Sequence, residues 1–182
     1  MIESVSKYGG FYIGRYELSE AGVQKDKATL TNTNWYNLYK KCTELQASDK
    51  VKTQMIWGCQ WDVTMNWLIS SGAKTSDEVN KDSSSWGNYK GTSVKADDGT
   101  TEIKASGKNQ ILNTGKTTFT MANNIYDLAG NCLELTQEAG YTSNRAYRGG
   151  DCYSSGSHGP ASSRDGYGPN IVRQRHTVLV PL

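Results

Sequence analysis

NIYDLAGNCLE, Asn124 to Glu134, joins two apolar stretches through a tight polar turn and puts a carboxylate on a strand where a hydrophobe is expected. Tyr126 and Leu128, then Leu133 and Leu135, alternate as in two short extended pieces, and Ala129-Gly130-Asn131 between them supplies the turn chemistry. Gly130 is expected at positive φ, where a residue without Cβ meets no steric cost. A chain reversing there brings the carboxylates of Asp127 and Glu134 around one point, together with the carbonyls of Gly130 and Cys132. Hard oxygens of this kind suit calcium better than zinc or copper. The same residues also fit a plainer arrangement, in which Asp127 caps the turn through its own backbone and Glu134 is solvated on a half-exposed strand.

The chain has 182 residues, enough for one domain with a buried core. Gly, Ser, Thr, Asn and Tyr are abundant and apolar residues sparse, which points to a loop-rich fold ordered by a few aromatic anchors. A net charge of +2 argues against nucleic acid or an anionic membrane as partner. No apolar run approaches the roughly 18 residues of a membrane helix, and MIESVSKYGG has no signal-peptide hydrophobic region, so synthesis in the cytoplasm without membrane insertion is expected. The four cysteines, Cys42, Cys59, Cys132 and Cys152, form no CxxC pair and read as packing thiols.

Along the chain, residues 11 to 17 read as a first strand after Gly9-Gly10, a pair expected to allow close backbone approach. A helix is predicted from near Asn34 to Gln46, burying Trp35, Leu38, Tyr39, Cys42 and Leu45, and a second from about Cys59 to Ser71 with Gly72 as its C-cap. Trp57, Trp61 and Trp67 are read as core in that helix. From Ala73 to Thr120 the composition fits a folded surface excursion anchored by Trp86 and Tyr89, with short strands around Val94 and Ile103.

Four ordered segments, GGFYIGRYE (9 to 17), QMIWGCQWDVTMNWL (54 to 68), NIYDLAGNCLELT (124 to 136) and YRGGDCY (147 to 153), resemble the formylglycine-generating enzyme family over nearly the whole chain. The resemblance implies an α+β, C-type-lectin-like fold with two helices, short twisted antiparallel sheets and much loop. It also implies calcium at Asp127, Gly130, Cys132 and Glu134, and a second calcium in the 73 to 120 region, where Asn88 and Asn113 are candidate donors. The family's reaction uses a copper-holding cysteine pair shortly after the RGG word. Here Asp151, Cys152, Tyr153, Ser154, Ser155, Gly156 and Ser157 follow Arg148-Gly149-Gly150, and the pair is not matched. Neither copper nor the enzyme activity is therefore expected. The two histidines, His158 and His176, are too few for the three-histidine metal site of the sulfoxide-synthase branch. The triad ingredients His158, Ser162 or Ser163, and Asp165 lack a nucleophile elbow.

Beyond Lys116 every Lys or Arg is arginine, and residues 141 to 176 combine Tyr, Ser, Gly, Asn and Arg in the manner of a paratope. The domain is thus expected to divide into a scaffold, residues 1–140, and a display segment with a closing strand, residues 141–182. It resembles a non-catalytic branch of the family, the variable proteins diversified by retroelements in phage tails and on bacterial surfaces. The candidate displayed positions are Asp151, Tyr153, Ser155, His158, Ser163, Asp165, Tyr167, Asn170, Arg173 and Arg175. The expected ligand is a protein or glycan on a cell surface, and the expected location a virion tail or a bacterial surface, with self-association or attachment to a larger tail or surface protein as further partners. The alternatives are an oxidase of the formylglycine-generating type and a calcium-dependent sugar binder, although the EPN and QPD tripeptides of C-type sugar sites are absent.

Overall fold

The computed structural model describes residues 2–45, 51–141 and 143–181. The chain is α+β: helices α1 (Ile2–Tyr8), α2 (Trp35–Glu44), α3 (Gly58–Ser70) and α4 (Ser76–Asn80) precede strands β1 (Val94–Lys95), β2 (Glu102–Lys104), β3 (Met121–Ala122), β4 (Ile125–Tyr126), β5 (Leu133–Ala139), β6 (Arg145–Arg148), β7 (Arg164–Tyr167) and β8 (His176–Thr177). β1 pairs with β2 and β3 with β4, while the main sheet has the order β7-β6-β5-β8. Its last pair, β5 with β8, is parallel, which departs from the expected all-antiparallel sheets.

The α2 helix starts where the sequence puts it. The Asn34 side chain accepts a hydrogen bond from the Asn37 amide at 3.0 Å, satisfying one of the donors a helix start leaves free. Trp35, Leu38 and Cys42 form its buried stripe, and Tyr39 stacks on Trp35 at 5.0 Å but stays partly exposed. The expected end at Gln46 lies outside the described residues. In α3, Trp61, Met65 and Leu68 are buried as the 3.6-residue period requires. Trp57 and Trp67 are not core: they are 37% and 45% exposed. Trp67 lies six residues after Trp61, and six steps of about 100° carry it round to the far side of the helix. Gly72, at φ +73, ends α3 with its amide on the Ile69 carbonyl at 3.0 Å.

Residues 11–18 run extended beside the chain's last segment without forming a regular strand. Gly14 donates to the Val180 carbonyl at 2.9 Å and Leu18 to that of Val178 at 3.1 Å, with a single bridge between Ile13 and Pro181. The close backbone approach expected of Gly9-Gly10 belongs instead to Gly14, where a Cβ would sit 2.9 Å from the Val180 oxygen. Gly9, at φ +76, closes α1, a helix the sequence reading did not anticipate.

After β8 the chain separates two apolar clusters. Val178 and Val180 pack with Leu18, Trp35, Leu38 and Leu135, whereas Leu179 packs with Ile56, Trp61, Leu68 and Leu128. This alternation is what an extended segment buried on both faces produces. The surface excursion is held as expected, with Trp86 and Tyr89 buried and the hairpin β1–β2 near Val94 and Ile103. Lys104 lies buried beneath it, donating to the carbonyls of Tyr89 at 2.7 Å and Thr92 at 2.6 Å.

Burial predicts the contrast between the two helix tryptophans. Trp61→Ala is expected to cost about 3–5 kcal/mol in a urea titration, and Trp67→Ala to change stability by less than about 1 kcal/mol.

Candidate functional site

The main sheet presents two chemically different faces. Glu134 stands opposite Arg148 and Thr177, and Arg148 opposite Arg164, so these residues share the face toward α3. Leu135 stands opposite Tyr147, and Tyr147 opposite Asp165, so these lie on the other face, with Arg145 and Tyr167.

The turn at Gly130 organises the first face. Gly130 has φ +74, as anticipated, and a Cβ there would sit 2.5 Å from the Asn88 carbonyl oxygen. Asp127 and Asn131 also adopt positive φ, at 61° and 59°. Asn131 is fully buried and uses its whole amide. Its Nδ2 donates to Glu17 Oε2 at 2.8 Å and to the Leu112 carbonyl at 3.3 Å, and its Oδ1 accepts from Asn88 Nδ2 and the Leu112 amide, each at 2.9 Å. Its backbone adds a donation to the Asn88 carbonyl at 2.9 Å and accepts from the Cys152 amide at 3.2 Å.

Three acids lie buried around this amide. Burial raises Glu134 well above the usual carboxylate range, and the charges of Glu17 and Asp127 add to the effect. Burial likewise raises Glu17, with Asp127 adding and hydrogen bonds from Thr29 and Asn131 opposing. Asp127 is raised by burial while its Oδ2 accepts from the Gly115 amide at 2.8 Å and Thr114 Oγ1 at 3.1 Å. Both Glu134 oxygens lack a partner, as does the Thr177 hydroxyl paired in register with it. Glu134 is thus not the solvated strand residue of the plainer expectation, and the Asp127 side chain is held by Thr114 and Gly115, 13 and 12 residues away, rather than by the backbone of its own turn. Burial pushes up the Cys132 thiol. Among the described residues no group of three or more His, Cys, Asp or Glu side chains is placed to hold a metal ion, so a cation at this turn would depend on Glu134 and main-chain oxygens. Of the candidate donors in the excursion, Asn88 keeps an unpartnered Oδ1, whereas Asn113 is exposed and donates to Asp26.

On the second face, Tyr147, Tyr167 and His176 form a cluster, with His176 5.0 Å from the Tyr167 ring and 6.2 Å from that of Tyr147. The Tyr147 hydroxyl donates to Asp165 Oδ2 at 3.0 Å. Burial, followed by that bond to Asp165, raises the Tyr147 phenol. Arg173 lies 4.8 Å over the Tyr167 ring, and Arg175 lies 5.5 Å over that of Tyr153 while pairing with Asp151 at 3.0 Å.

The expected display positions therefore divide. Tyr153, Asp165, Tyr167, Arg173 and Arg175 gather around the cluster. Asp151 does not belong with exposed positions: it is 2% exposed, and besides Arg175 it accepts from the Tyr153 amide at 3.0 Å. Its place directly after two buried glycines turns it inward, where the Arg175 guanidinium offsets its charge. Ser155 and His158 are exposed on a turn that the Gly156 carbonyl ties to the Ser83 amide at 3.2 Å. Ser163 is half-buried and Asn170 exposed. Arg148 is buried against Asp62 on the opposite face, so residues 147 to 176 do not point uniformly outward. Tyr147, His176 and Glu17 were not anticipated. For Tyr147 the available signal was alternation, since Arg145 and Tyr147 flank buried Ala146.

The sequence matches no protein-family model and no curated protein. The fold resembles that of a variable protein. Treponema denticola variable protein 1 superposes with a TM-score of 0.50 at 15% identity, covering 84% of this chain and 70% of that one. A crystal structure of CarF superposes with a TM-score of 0.54 at 14% identity, covering 94% of this chain and 75% of that one. These likenesses bear on the fold alone, and the resemblance to formylglycine-generating enzymes rests on the sequence words.

His176 gives the site a pH signature. Burial, with Arg173 and Arg175 adding, lowers its imidazole from the usual 6.5 to about 4. The unfolded chain then takes up the proton first on acidification. This stability contribution is whole above about pH 6.5 and lost as pH falls toward 4, amounting to at most about 3 kcal/mol. Urea titrations of the wild type and of His176→Phe across that window should diverge by this amount, since the buried acids, which pull the other way on acidification, are common to both.

Proposed function

We propose that this chain is a non-catalytic, C-type-lectin-like ligand-binding domain of the formylglycine-generating type, and that it docks a protein or glycan of a cell surface on the face built by Tyr147, Tyr153, Tyr167, Arg173 and Arg175. The observation that carries this reading is the stacking of two guanidinium groups on two tyrosine rings at the edge of a sheet whose opposite face is packed against α3. Aromatic and arginine side chains held this way have lost their rotamer freedom before a ligand arrives, so less entropy is lost on docking. The likeness of the fold to a variable protein supports the further reading that the display segment is diversified by a retroelement, in a protein of a phage tail or bacterial surface. A neighbouring reverse-transcriptase gene with a template repeat matching this segment is the genomic observation expected.

The reading is tested by screening the protein against arrayed bacterial surface proteins and glycans. The triple variant Tyr153→Ala, Tyr167→Ala, Arg173→Ala is expected to lose the captured partner while its Tm falls by less than about 5 °C. Capture that survives in the triple variant would refute the assigned face.

We further propose that calcium is a structural component of the scaffold. Support comes from Glu134, whose two oxygens are buried without partners beside the unpartnered Thr177 hydroxyl, an arrangement that suits a hard cation. Glu134 and the carbonyls of Gly130 and Cys132 are the donors, with Asp127 beside them already engaged by Thr114 and Gly115. Bound there, the cation neutralises buried carboxylates and stiffens the turn without touching the ligand. Calcium is expected to raise the Tm of the wild-type protein and leave that of Glu134→Gln unchanged. EDTA should lower thermal stability; loss of ligand binding without any change in Tm would point instead to a cation that contacts the ligand.

A further inference from the structure

Arg173 differs from every other arginine of the chain. Arg15 donates to the Asn124 carbonyl, Arg145 to that of Gln137, Arg148 to Asp62, Arg164 to Glu138, and Arg175 pairs with Asp151. Arg173 donates from its side chain to nothing among the described residues, and its Nε is buried without a partner. A guanidinium keeps its charge at any physiological pH and offers a planar fork of donors, so one held in place without an acceptor is a fork with its partner missing.

The surroundings fix where it stands. Its guanidinium lies over the Tyr167 ring, and its backbone carbonyl accepts from the Asn32 amide at 2.9 Å. Beside it, His176 is buried with both ring nitrogens unpartnered. Two carboxylates nearby are already engaged, Asp151 by Arg175 and Asp165 by the Tyr147 hydroxyl. We infer that Arg173 is the anchor for a carboxylate of a protein ligand, an aspartate or glutamate side chain that meets the guanidinium over the Tyr167 ring at its two Nη groups, which unlike Nε are not shut off from solvent. The inference rests on the docking face proposed above and names the chemistry it recognises.

Two features select this occupant. Among the described residues Arg173 is the cation at the site without a hydrogen-bond acceptor, so a single carboxylate suits it better than a doubly charged phosphate. The residues just before Arg173, Ile171 and Val172, are exposed aliphatics, with Val172 55% exposed. Such side chains cover aliphatic protein surface well and offer the hydroxyls of a sugar no hydrogen bond.

The test uses the full chain and NMR. The probes are a capped peptide with one glutamate between leucines, its glutamine counterpart, and N-acetylneuraminic acid as the carboxylate of a glycan. The glutamate peptide should shift the Arg173 Nε–H and His176 ring resonances saturably and bind at least tenfold more tightly than the glutamine peptide. Arg173→Lys, which keeps the charge but loses the planar fork, should weaken it about tenfold with Tm unchanged, and Arg173→Gln should remove the preference for glutamate. Equal binding of the two peptides, no saturable shift, or full binding by Arg173→Lys would overturn the inference. Tighter binding of N-acetylneuraminic acid than of the glutamate peptide would overturn the assignment to a protein ligand. If the peptides fail while the triple variant still loses its captured partner, the docking face stands and the carboxylate assignment falls.

Discussion

A single buried side-chain amide links segments that are far apart in the chain. Asn131 joins Glu17 near the N-terminus, Asn88 and Leu112 in the surface excursion, and, through its carbonyl, Cys152 after the paired glycines. An amide with two donors and two acceptor sites meets this demand, and a carboxylate or hydroxyl cannot. Each partner is itself buried or main-chain, so losing the amide leaves several polar groups without partners at once. Because β5 begins two residues later, the same amide sets the register of the strand that carries Glu134 on one face and Leu135, opposite Tyr147, on the other. The acids lie on one side of this fixed strand, and on the other Leu135 enters the second apolar cluster with Tyr147 packed at its margin.

The two sides are under opposite electrostatic constraints. Toward α3, burial raises the proton affinity of three acids, and the charge of Asp127 adds to it at Glu17 and Glu134, a destabilising arrangement that protonation relieves. On the other face, each of these charged groups but one has a hydrogen-bonding or ion-pair partner among the described residues: Asp151 pairs with Arg175, Asp165 accepts from the Tyr147 hydroxyl, and Arg145 donates to the Gln137 carbonyl at 3.4 Å. Arg173 is the exception. A guanidinium without a partner costs far less at a half-exposed position than in the interior.

Local signals in the sequence were legible, and long-range ones were not. The positive φ at Gly130, the Asn34 cap, the buried Trp61, Met65 and Leu68 and the anchors Trp86 and Tyr89 follow from rules that act within a few residues. The same kind of rule was present and unread at Thr75 and Glu78, a capping box that opens α4. The exposure of Trp67 required carrying the helical period through with its phase. The partnership of Asn131 with Glu17 spans 114 residues, and the parallel pairing of β8 with β5 spans more than forty. No local pattern marks either one. For the same reason the sequence alone marks Asp151 as a surface residue, since its inward turn depends on its pairing with Arg175, 24 residues on.

The position of the last strand has a consequence for how the protein matures. The segment 178–181 hydrogen-bonds to Gly14, Leu18, Gln54 and Ile56 and separates the two apolar clusters. Neither cluster is sealed until that segment has left the ribosome and inserted, and by then the whole tyrosine and arginine stretch has already been synthesised. Any change within residues 147 to 176 must therefore first be compatible with that insertion. A substitution there that hinders insertion leaves apolar surface open to proteolysis, so folding itself limits which side chains this stretch tolerates.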